Sequence, residues 1–303
     1  MRVCALILAA CAAATLNWPE PARSEPSTKT ATTEERLPHI SIRSVGTGSP
    51  VVLIPGLSTS RAVWDGIAPE LARNHKVILV QVNGFGGDDP GANLKPGVLD
   101  GIGADLSEYI TAHRLPPVQV IGHSMGGLAA LEFARAHPDQ VARVMVVDAL
   151  PFFAVLMNPG ATVDAVRPVA EIMRNRIAAS YGKPADPAAI EANVRSLALK
   201  PESIARMTKW TAAADPRVTA QALYEDLTTD IRPELAKIGT HVTVIVPWSD
   251  KGFGEEHTLG FYKKQYAGLP NAAFVGIGDA GHFVMLDQPG RFADEVNKFV
   301  AAE

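Results

Sequence analysis

The sequence predicts an α/β fold, in which helices cover both faces of a mostly parallel, doubly covered β-sheet. Two observations carry this prediction. Continuous runs of β-branched and other apolar residues recur at 76–82, 118–121 and 142–147. Such runs are typical of parallel strands that are buried on both faces. Segments with helical periodicity separate these runs, and this alternation indicates an α/β sheet. The 303 residues, 47% of them hydrophobic, are enough for one large core.

The first predicted elements form the N-terminal part of this sheet. Residues 39–45 and 50–54 have strand patterns and flank a turn at 46–48. A helix is predicted at 99–113, because Ile102, Leu106 and Ile110 fall on one face. A second helix is predicted at 124–136, directly after the strand at 118–121.

The alternation stops between about residue 150 and residue 230. This segment has no convincing strand, several prolines and helical periodicity. An all-helical insertion in a parallel-sheet protein usually lies over the carboxyl edge of the sheet, where ligands bind. We therefore interpret 150–230 as a helical lid, and 38–149 together with 231–303 as the core. The remaining predicted elements are strands at 242–246 and 273–277 and helices at 256–267 and 291–301.

The first 24 residues predict a signal peptide. Arg2 is followed by an apolar run at 3–16, which is shorter than the roughly 20 residues that a membrane span needs. Residues 22–24 fit the small-x-small pattern of a cleavage site, so we expect an exported protein, periplasmic or secreted, with no stable membrane span in its mature form. Lipidation at Cys11 and an uncleaved N-terminal anchor are the alternatives.

The leader contains both cysteines, Cys4 and Cys11, so the mature chain is expected to have no disulfide. Residues 25–37 are polar, aperiodic and rich in Pro, Ser and Thr, which predicts a disordered linker. The formal net charge is −4 and no basic run occurs, so no nucleic-acid partner is expected.

A candidate nucleophile follows the predicted strand at 118–121. The pattern Gly122-x-Ser124-x-Gly126 lies between a strand and a helix, which is the context of a nucleophile elbow. Glycines are needed there because the serine occupies a strained turn in which strand and helix approach closely. The turn places the hydroxyl at the positive end of the helix, where a developing oxyanion is favoured. An ordinary glycine-rich turn with a serine cap is the alternative.

The segment Gly122-His123-Ser124-Met125-Gly126-Gly127 resembles the α/β-hydrolase superfamily, and the likeness extends over nearly the whole chain from about residue 39 onward. The resemblance implies the α/β-hydrolase fold, with the nucleophile, acid and histidine in this chain order. It also implies a helical lid inserted between the sixth and seventh strands, where the segment at 150–230 lies. Epoxide hydrolases and haloalkane dehalogenases are disfavoured, because their nucleophile is normally an aspartate.

The resemblance also implies a base and an acid. His282 lies in a segment, 278–283, that resembles the family's late histidine segment, and a loop there can return to the sheet edge beside the elbow. Asp250 ends the segment 247–250 and matches the family's acid, although the usual glycine is here Pro247. Asp148 is the alternative, since some relatives place the acid after the preceding strand. His123 is interpreted as structural packing beside the nucleophile.

An oxyanion hole requires two backbone N–H donors near the attacked carbonyl. We expect one from Met125, the residue after the nucleophile, and the other from Leu57, in the loop after the strand at 50–54. The family often has His-Gly at this point, where this chain has Pro55-Gly56. Residues 83–89 also depart from the family's Asp-x-Pro-Gly-His-Gly signature, which weakens the transfer of any one subfamily's activity.

An apolar lid over a serine nucleophile suits a small or medium apolar acyl or aromatic substrate. Phe153, Met157 and Trp248 are predicted to form the wall of its pocket. The sequence therefore predicts a serine hydrolase that cleaves a small-molecule carboxylic ester through an acyl-enzyme. A lactonase, a C–C bond hydrolase or a cofactor-free perhydrolase on the same triad, and a noncatalytic binding protein, are the alternatives. No metal or cofactor is expected, because no His-Glu-x-x-His cluster occurs.

Overall fold

The computed structural model describes residues 33–250 and 252–302. The predicted leader, and the predicted linker as far as residue 32, lie outside these residues. The described residues form one sheet of eight strands. In chain order the strands are β1 Thr33–Arg36, β2 Ile40–Val45, β3 Ser49–Ile54, β4 His75–Val82, β5 Val118–His123, β6 Val141–Val147, β7 His241–Trp248 and β8 Ala272–Gly278.

The strand order across the sheet is β1-β2-β4-β3-β5-β6-β7-β8. Strands β1 and β2 run antiparallel to their neighbours, and every other pair is parallel. The carboxyl ends of the parallel strands therefore meet at one edge of the sheet. Strand β5 lies inside the sheet between β3 and β6, so the residues that follow it are flanked by two neighbouring loops.

The helices of the described residues alternate with the strands on both sides of the lid segment. They are α1 Ala68–Leu71, α2 Val98–Ala112, α3 Met125–Ala136, α4 Val163–Ala178, α5 Pro187–Val194, α6 Pro201–Ala213, α7 Pro216–Thr228, α8 Gly254–Gln265, α9 Val284–Asp287 and α10 Pro289–Ala301. Among the described residues, no helix combines the length and the apolar character that a membrane crossing requires.

The sheet has a hydrophobic core on each face, as the continuous apolar runs predicted. Successive residues of β6 alternate between the two cores: Val144 and Val146 belong to one, and Met145 and Val147 to the other. Helices α2, α3 and α8 pack on the first face, and α1 and α10 on the second. Because both faces are covered, polar alternation along the strands is not required. The predicted doubly covered α/β sheet is confirmed.

The segment between β6 and β7 is helical, and it contains α4, α5, α6 and α7. Three of its prolines, Pro187, Pro201 and Pro216, stand at the start of a helix, where a missing N–H breaks no helical hydrogen bond. Side-chain caps support the starts of α4 and α7. Thr162 accepts a hydrogen bond from the Ala165 N–H at 3.3 Å, and Asp215 accepts one from the Arg217 N–H at 2.8 Å.

The predicted disorder of residues 25–37 is wrong for its C-terminal part, because residues 33–36 form β1. This strand pairs antiparallel with β2, and Glu34 lies opposite Arg43. The two side chains form an ion pair at 3.0 Å, and Glu34 also lies 3.5 Å from Arg61. A polar edge strand has no apolar periodicity to mark it, since backbone pairing and cross-strand charge pairs hold it. Its composition therefore resembles that of a linker.

Candidate active site

The turn at Ser124 joins β5 to α3 and has an unusual backbone. Ser124 adopts φ 55° and ψ −127°, in a region that residues with a Cβ rarely occupy. A Cβ on Gly122 would lie 2.1 Å from the Gly126 carbonyl oxygen, and a Cβ on Gly126 would lie 2.5 Å from the Ile54 oxygen. Close backbone contacts therefore require the two glycines, as predicted for a turn in which strand and helix approach closely.

Hydrogen bonds on both sides hold the strained serine in place. Its backbone N–H donates to the Val147 oxygen of β6 at 3.0 Å. Its carbonyl oxygen accepts from the N–H groups of Gly127 at 2.7 Å and Leu128 at 3.2 Å, in the first turn of α3. The serine backbone is thus tied to a neighbouring strand and to a helix, and the side chain is directed by rigid elements.

The side chains of Ser124, His282 and Asp148 form a hydrogen-bonded chain. The Nε2 atom of His282 lies 2.9 Å from Ser124 Oγ, and its Nδ1 atom lies 2.6 Å from Asp148 Oδ2. An ionised carboxylate only accepts hydrogen bonds, so the imidazole proton resides on Nδ1. Nε2 then carries the lone pair that accepts the serine proton. The structure brings the predicted nucleophile and the predicted base together.

The carboxylate beside His282 belongs to Asp148 and not to Asp250, which corrects the predicted choice. Asp148 directly follows β6, the neighbour of β5, whereas Asp250 follows β7, one strand further away. Asp148 has φ 47°, and its N–H donates to the Ile245 oxygen at 3.0 Å, which fixes the turn. Asp250 is exposed in the turn after β7. Asp148, the alternative to Asp250, therefore has the geometry of the acid.

Two tyrosines, Tyr262 of α8 and Tyr266 directly after that helix, support this turn, and no sequence motif indicates them. The Tyr262 hydroxyl donates to Asp148 Oδ1, and the Tyr266 hydroxyl donates to the Ala149 carbonyl at 2.8 Å. Burial and the nearby Asp148 carboxylate raise the pKa of both phenols above the ordinary value, so both stay protonated donors. Their spacing of four residues on one helix face is the only local signal.

The loop that carries His282 is held by a buried carboxylate. Asp287, which is fully buried, accepts hydrogen bonds at 2.9 Å from the Gly281 N–H and at 2.9 Å from the Leu199 N–H. The lid is bonded to the same loop a second time, because the Phe283 N–H donates to the Leu197 oxygen at 3.2 Å. The histidine loop and the lid are therefore joined through hydrogen bonds.

His123 lies against this loop from the other side. Its Nε2 atom lies 3.0 Å from the His282 carbonyl oxygen, and its ring centroid lies 4.6 Å from that of His282. Because a carbonyl oxygen can only accept, Nε2 carries the proton. Burial and the nearby His282 lower the pKa of His123 well below the ordinary value, so the ring is a neutral donor. The sequence predicts a packing role for His123, and the hydrogen bond shows that it also holds the main chain of His282.

The backbone N–H groups of Leu57 and Met125 are free to act as donors. Both residues line the cavity at Ser124, and within the described part of the chain neither N–H donates a hydrogen bond. Gly56 makes the approach of this loop possible, because a Cβ there would lie 3.0 Å from the Ser124 Cβ. Met125 is the first residue of α3, where the helix dipole favours negative charge.

The three side chains open into a cavity of about 690 Å³. Its wall is mainly apolar and comes largely from the lid, including Leu156, Met173, Met207, Trp210 and Leu223. Of the predicted wall residues, Phe153 lines the cavity. Among the described residues, no group of three or more His, Cys, Asp or Glu side chains is placed to hold a metal ion.

The other two predicted wall residues lie elsewhere. Met157 is 53% exposed and is not among the residues that line the cavity, although its neighbour Leu156 is. Trp248 packs against β8, where a Cβ on Gly278 would lie 2.6 Å from its ring. The two glycines Gly276 and Gly278 leave room for the indole on the sheet, so the ring does not turn toward Ser124.

Residues 51–295 match the profile of the alpha/beta hydrolase family. A pimeloyl-[acyl-carrier protein] methyl ester esterase of Aeromonas hydrophila is 31% identical over 114 residues, which are 38% of this chain and 43% of that protein. A 2-hydroxy-6-oxo-2,4-heptadienoate hydrolase of Pseudomonas putida is 34% identical over 112 residues, or 36% of this chain and 40% of that protein. The matched part thus spans less than half of each of these curated relatives.

Solved structures share the fold over most of the chain. An esterase from Exiguobacterium antarcticum has a TM-score of 0.71 and 20% identity, and the match covers 87% of this chain and 96% of that one. The enol-lactonase from Burkholderia xenovorans LB400 has a TM-score of 0.69 and 17% identity, with 87% and 97% coverage. At these identities the likeness concerns the fold alone.

Proposed function

Because the chain belongs to the alpha/beta hydrolase family, we propose that it is a serine hydrolase that cleaves a carboxylic ester, with Ser124 as nucleophile, His282 as base and Asp148 as acid. One observation carries the proposal, namely the unbroken hydrogen-bonded chain from Ser124 Oγ through His282 to Asp148. This is the geometry that activates an otherwise unreactive hydroxyl. The chain opens into a cavity large enough for a small ester.

The first half of the reaction forms an acyl-enzyme. Ser124 Oγ attacks the ester carbonyl carbon while His282 Nε2 takes the hydroxyl proton, and Asp148 stabilises the imidazolium. The carbonyl oxygen becomes an oxyanion that accepts hydrogen bonds from the N–H groups of Leu57 and Met125. When the tetrahedral intermediate collapses, the C–O bond to the alcohol breaks, and the leaving oxygen takes the proton from Nε2.

The second half returns the enzyme to its starting state. Water gives a proton to His282 Nε2 and attacks the acyl carbon, and a second oxyanion forms at the same donors. Collapse releases the carboxylic acid, and Ser124 Oγ recovers its proton from the imidazolium. Every proton transfer uses one nitrogen of one residue, and Nδ1 stays bonded to Asp148 throughout.

The cavity supports a substrate with an apolar body and no carboxylate. Its wall is mainly aliphatic and aromatic, and burial of each methylene is worth about 0.8 kcal/mol. No Lys or Arg is among the residues that line it in the described part of the chain. A substrate that carries a carboxylate, such as a heptadienoate, would have no cationic partner there, and an unpaired buried charge is costly. An ester is therefore favoured over a carboxylate-bearing C–C substrate.

Turnover of p-nitrophenyl esters of increasing acyl length tests the proposal, with Ser124→Ala as the matched variant and a fluorophosphonate probe as a second readout. We expect ester turnover that the substitution abolishes, and probe labelling at Ser124 only in the wild type. Failure of both turnover and labelling would overturn the proposal. Labelling without turnover of any ester would keep the nucleophile but refute the ester substrate, and it would direct the search to lactones, C–C bonds and peracids.

We also propose that the protein is exported. The apolar run at 3–16 after Arg2, followed by the small-x-small pattern at 22–24, supports this proposal. Cell fractionation and the mass of the purified N-terminal peptide test it. A mature protein that begins at residue 25 outside the cytoplasm is expected, whereas a lipid-bearing N-terminal Cys11 would identify the lipoprotein alternative. An intact N-terminus in the cytoplasm would contradict export.

A further inference from the structure

A second carboxyl group faces the cavity and takes no part in the proposed mechanism. Asp226 lies in the last turn of α7 and is only 6% exposed. It lines the same cavity as Ser124 and His282. Thr219, Leu223 and Asp226 are spaced as one stripe of the helix, and all three line the cavity. The helical register therefore directs Asp226 toward the substrate.

Asp226 has no hydrogen-bond or ion-pair partner among the residues that the structure describes, unlike Glu225, Asp215 and Asp230 of the same segment. Glu225 accepts from the N–H groups of Gly97 at 2.7 Å and Leu99 at 2.9 Å. Asp215 is paired with Arg217, and Asp230 with Arg232, both at 2.6 Å. A buried carboxyl without a partner is rare, because leaving it unsatisfied costs free energy.

The position is also unfavourable for a negative charge. The C-terminal turn of a helix carries the negative end of its dipole, so an acid there does not stabilise α7. Burial, opposed by His282 and assisted by Glu132, raises the pKa of Asp226 to about 7. Near neutral pH the group is thus present in both forms, and it can donate or accept a hydrogen bond. Helix stability therefore does not explain the residue.

We propose that Asp226 is the specificity-determining residue of the cavity, and that it selects esters that carry a hydrogen-bond donor, a hydroxyl or an amino group, on an otherwise apolar body. The inference rests on the proposed ester hydrolysis and names its substrate class. An amino group would bind the carboxylate as an ion pair, and a hydroxyl would bind either form. Both are excluded from an entirely apolar cavity by the cost of burying them unpaired. A carboxylate on the substrate would be repelled.

The test compares matched methyl esters of hexanoic acid. The series is the plain ester, the esters with one hydroxyl at each carbon from C3 to C6, the ester with an amino group at C6, and monomethyl adipate. For each, kcat/KM is measured relative to the plain ester in the full-length wild type, Asp226→Leu and Asp226→Asn. Glu171→Leu serves as the control, because Glu171 is an exposed acid of the same lid.

We expect the wild type to prefer at least one donor-bearing ester by about tenfold or more, since a site built to bind a polar group rejects the analogue that lacks it. In Asp226→Leu this ratio falls below one. In Asp226→Asn, which keeps the shape, the preference for the hydroxyl persists and the preference for the amine is lost. Glu171→Leu keeps the wild-type ratios, and monomethyl adipate is the poorest substrate of the wild type.

Equal ratios in the wild type and in both Asp226 variants would overturn the inference and leave ester hydrolysis intact. The same conclusion would follow if the wild type preferred the plain ester over every donor-bearing one. A wild type that cleaves none of these esters and is not labelled at Ser124 by the fluorophosphonate probe would refute the proposed function, and the inference with it. If Asp226→Leu fails to fold, the ratios in Asp226→Asn decide, because that substitution is nearly isosteric.

Discussion

Asp148 stands in a backbone conformation with φ 47°, which few residues with a Cβ adopt, and it bonds both to His282 and to Tyr262. Substitution of Asp148 and of Asp250 tests which of the two carboxylates serves as the acid. Asp148→Asn is expected to lower kcat on a p-nitrophenyl ester by roughly 10³- to 10⁴-fold, because the amide no longer fixes the imidazole tautomer. Asp250→Asn, at an exposed turn, is expected to change kcat by about twofold or less.

Circular dichroism spectra of both variants serve as the folding control for this comparison. A large loss of kcat in Asp250→Asn, with Asp148→Asn near the wild type, would return the acid to Asp250. A large loss of kcat in both variants would mean that the turn after β7 also contributes to catalysis, although no hydrogen bond joins Asp250 to His282 in the described part of the chain.

Asp226 also affects stability, and the sign follows from its pKa. The folded-state pKa is raised to about 7 from an ordinary value of 3.8, so the folded protein holds this proton more tightly than the unfolded chain does. The wild type therefore loses stability as pH rises from about 4 to about 7, and the loss is constant above that range. Asp226→Asn removes this pH-dependent loss. We therefore expect the free energy of unfolding to increase on the order of 1–3 kcal/mol at about pH 8.

Urea unfolding at several values between about pH 5 and pH 8 measures this gain. The gain should grow with pH and then level off. A stabilisation that is the same at every pH, or a loss of stability at about pH 8, would contradict the raised pKa. A stabilising substitution that alters substrate preference is the behaviour expected of a residue kept for function.

At the scale of elements, one buried side chain joins the histidine loop to the lid. Asp287 bonds the N–H groups of Gly281 and Leu199, so Asp287→Ala leaves buried donors unsatisfied on two segments at once. We expect a loss of about 3 kcal/mol in the free energy of unfolding, together with a lower kcat, because His282 is no longer held. Asp294→Ala on the exposed face of α10 is the matched control. Unfolding curves that coincide for the two variants would refute the role of Asp287.

Two lid residues that are close in sequence differ in whether they line the cavity. Phe153 lines the cavity and Met157 is exposed on the surface. We expect Phe153→Ala to lower kcat/KM for a p-nitrophenyl hexanoate by about tenfold, since apolar contact with the acyl chain is lost. Met157→Ala is expected to change it by about twofold or less. An equal effect of both substitutions would mean that the lid takes another arrangement when substrate binds.

At the scale of the whole molecule, the sheet and the turn that carries Ser124 could be predicted because their signals are local. The strand 118–121, the glycines around Ser124 and the helix after it are contiguous, and the structure has β5, the turn and α3 in that order. The doubly covered sheet follows from continuous apolar strands in the same way. The position of His282 beside Ser124 could be predicted because the segment 278–283 resembles the late histidine segment of the family.

The parts that could not be predicted depend on contacts between distant segments. The choice between Asp148 and Asp250 requires knowledge of which strand lies next to β5 and which turn faces His282. Strand β1 is held by pairing with β2 and by charges, neither of which leaves a periodic pattern. Trp248 does not face the site, because two glycines of β8 leave room for its ring on the sheet. No sequence pattern near Trp248 indicates that space.

The spacing of the catalytic side chains along the chain has a consequence for biosynthesis. Ser124 and Asp148 follow adjacent strands, whereas His282 comes 134 residues after Asp148 and 158 residues after Ser124. Because N-terminal segments leave the ribosome first, a nascent chain that ends before the last strand has the proposed nucleophile and acid but lacks the proposed base. Its serine is then as unreactive as any surface hydroxyl. The proposed mechanism therefore requires that translation has passed residue 282 before any ester can be cleaved.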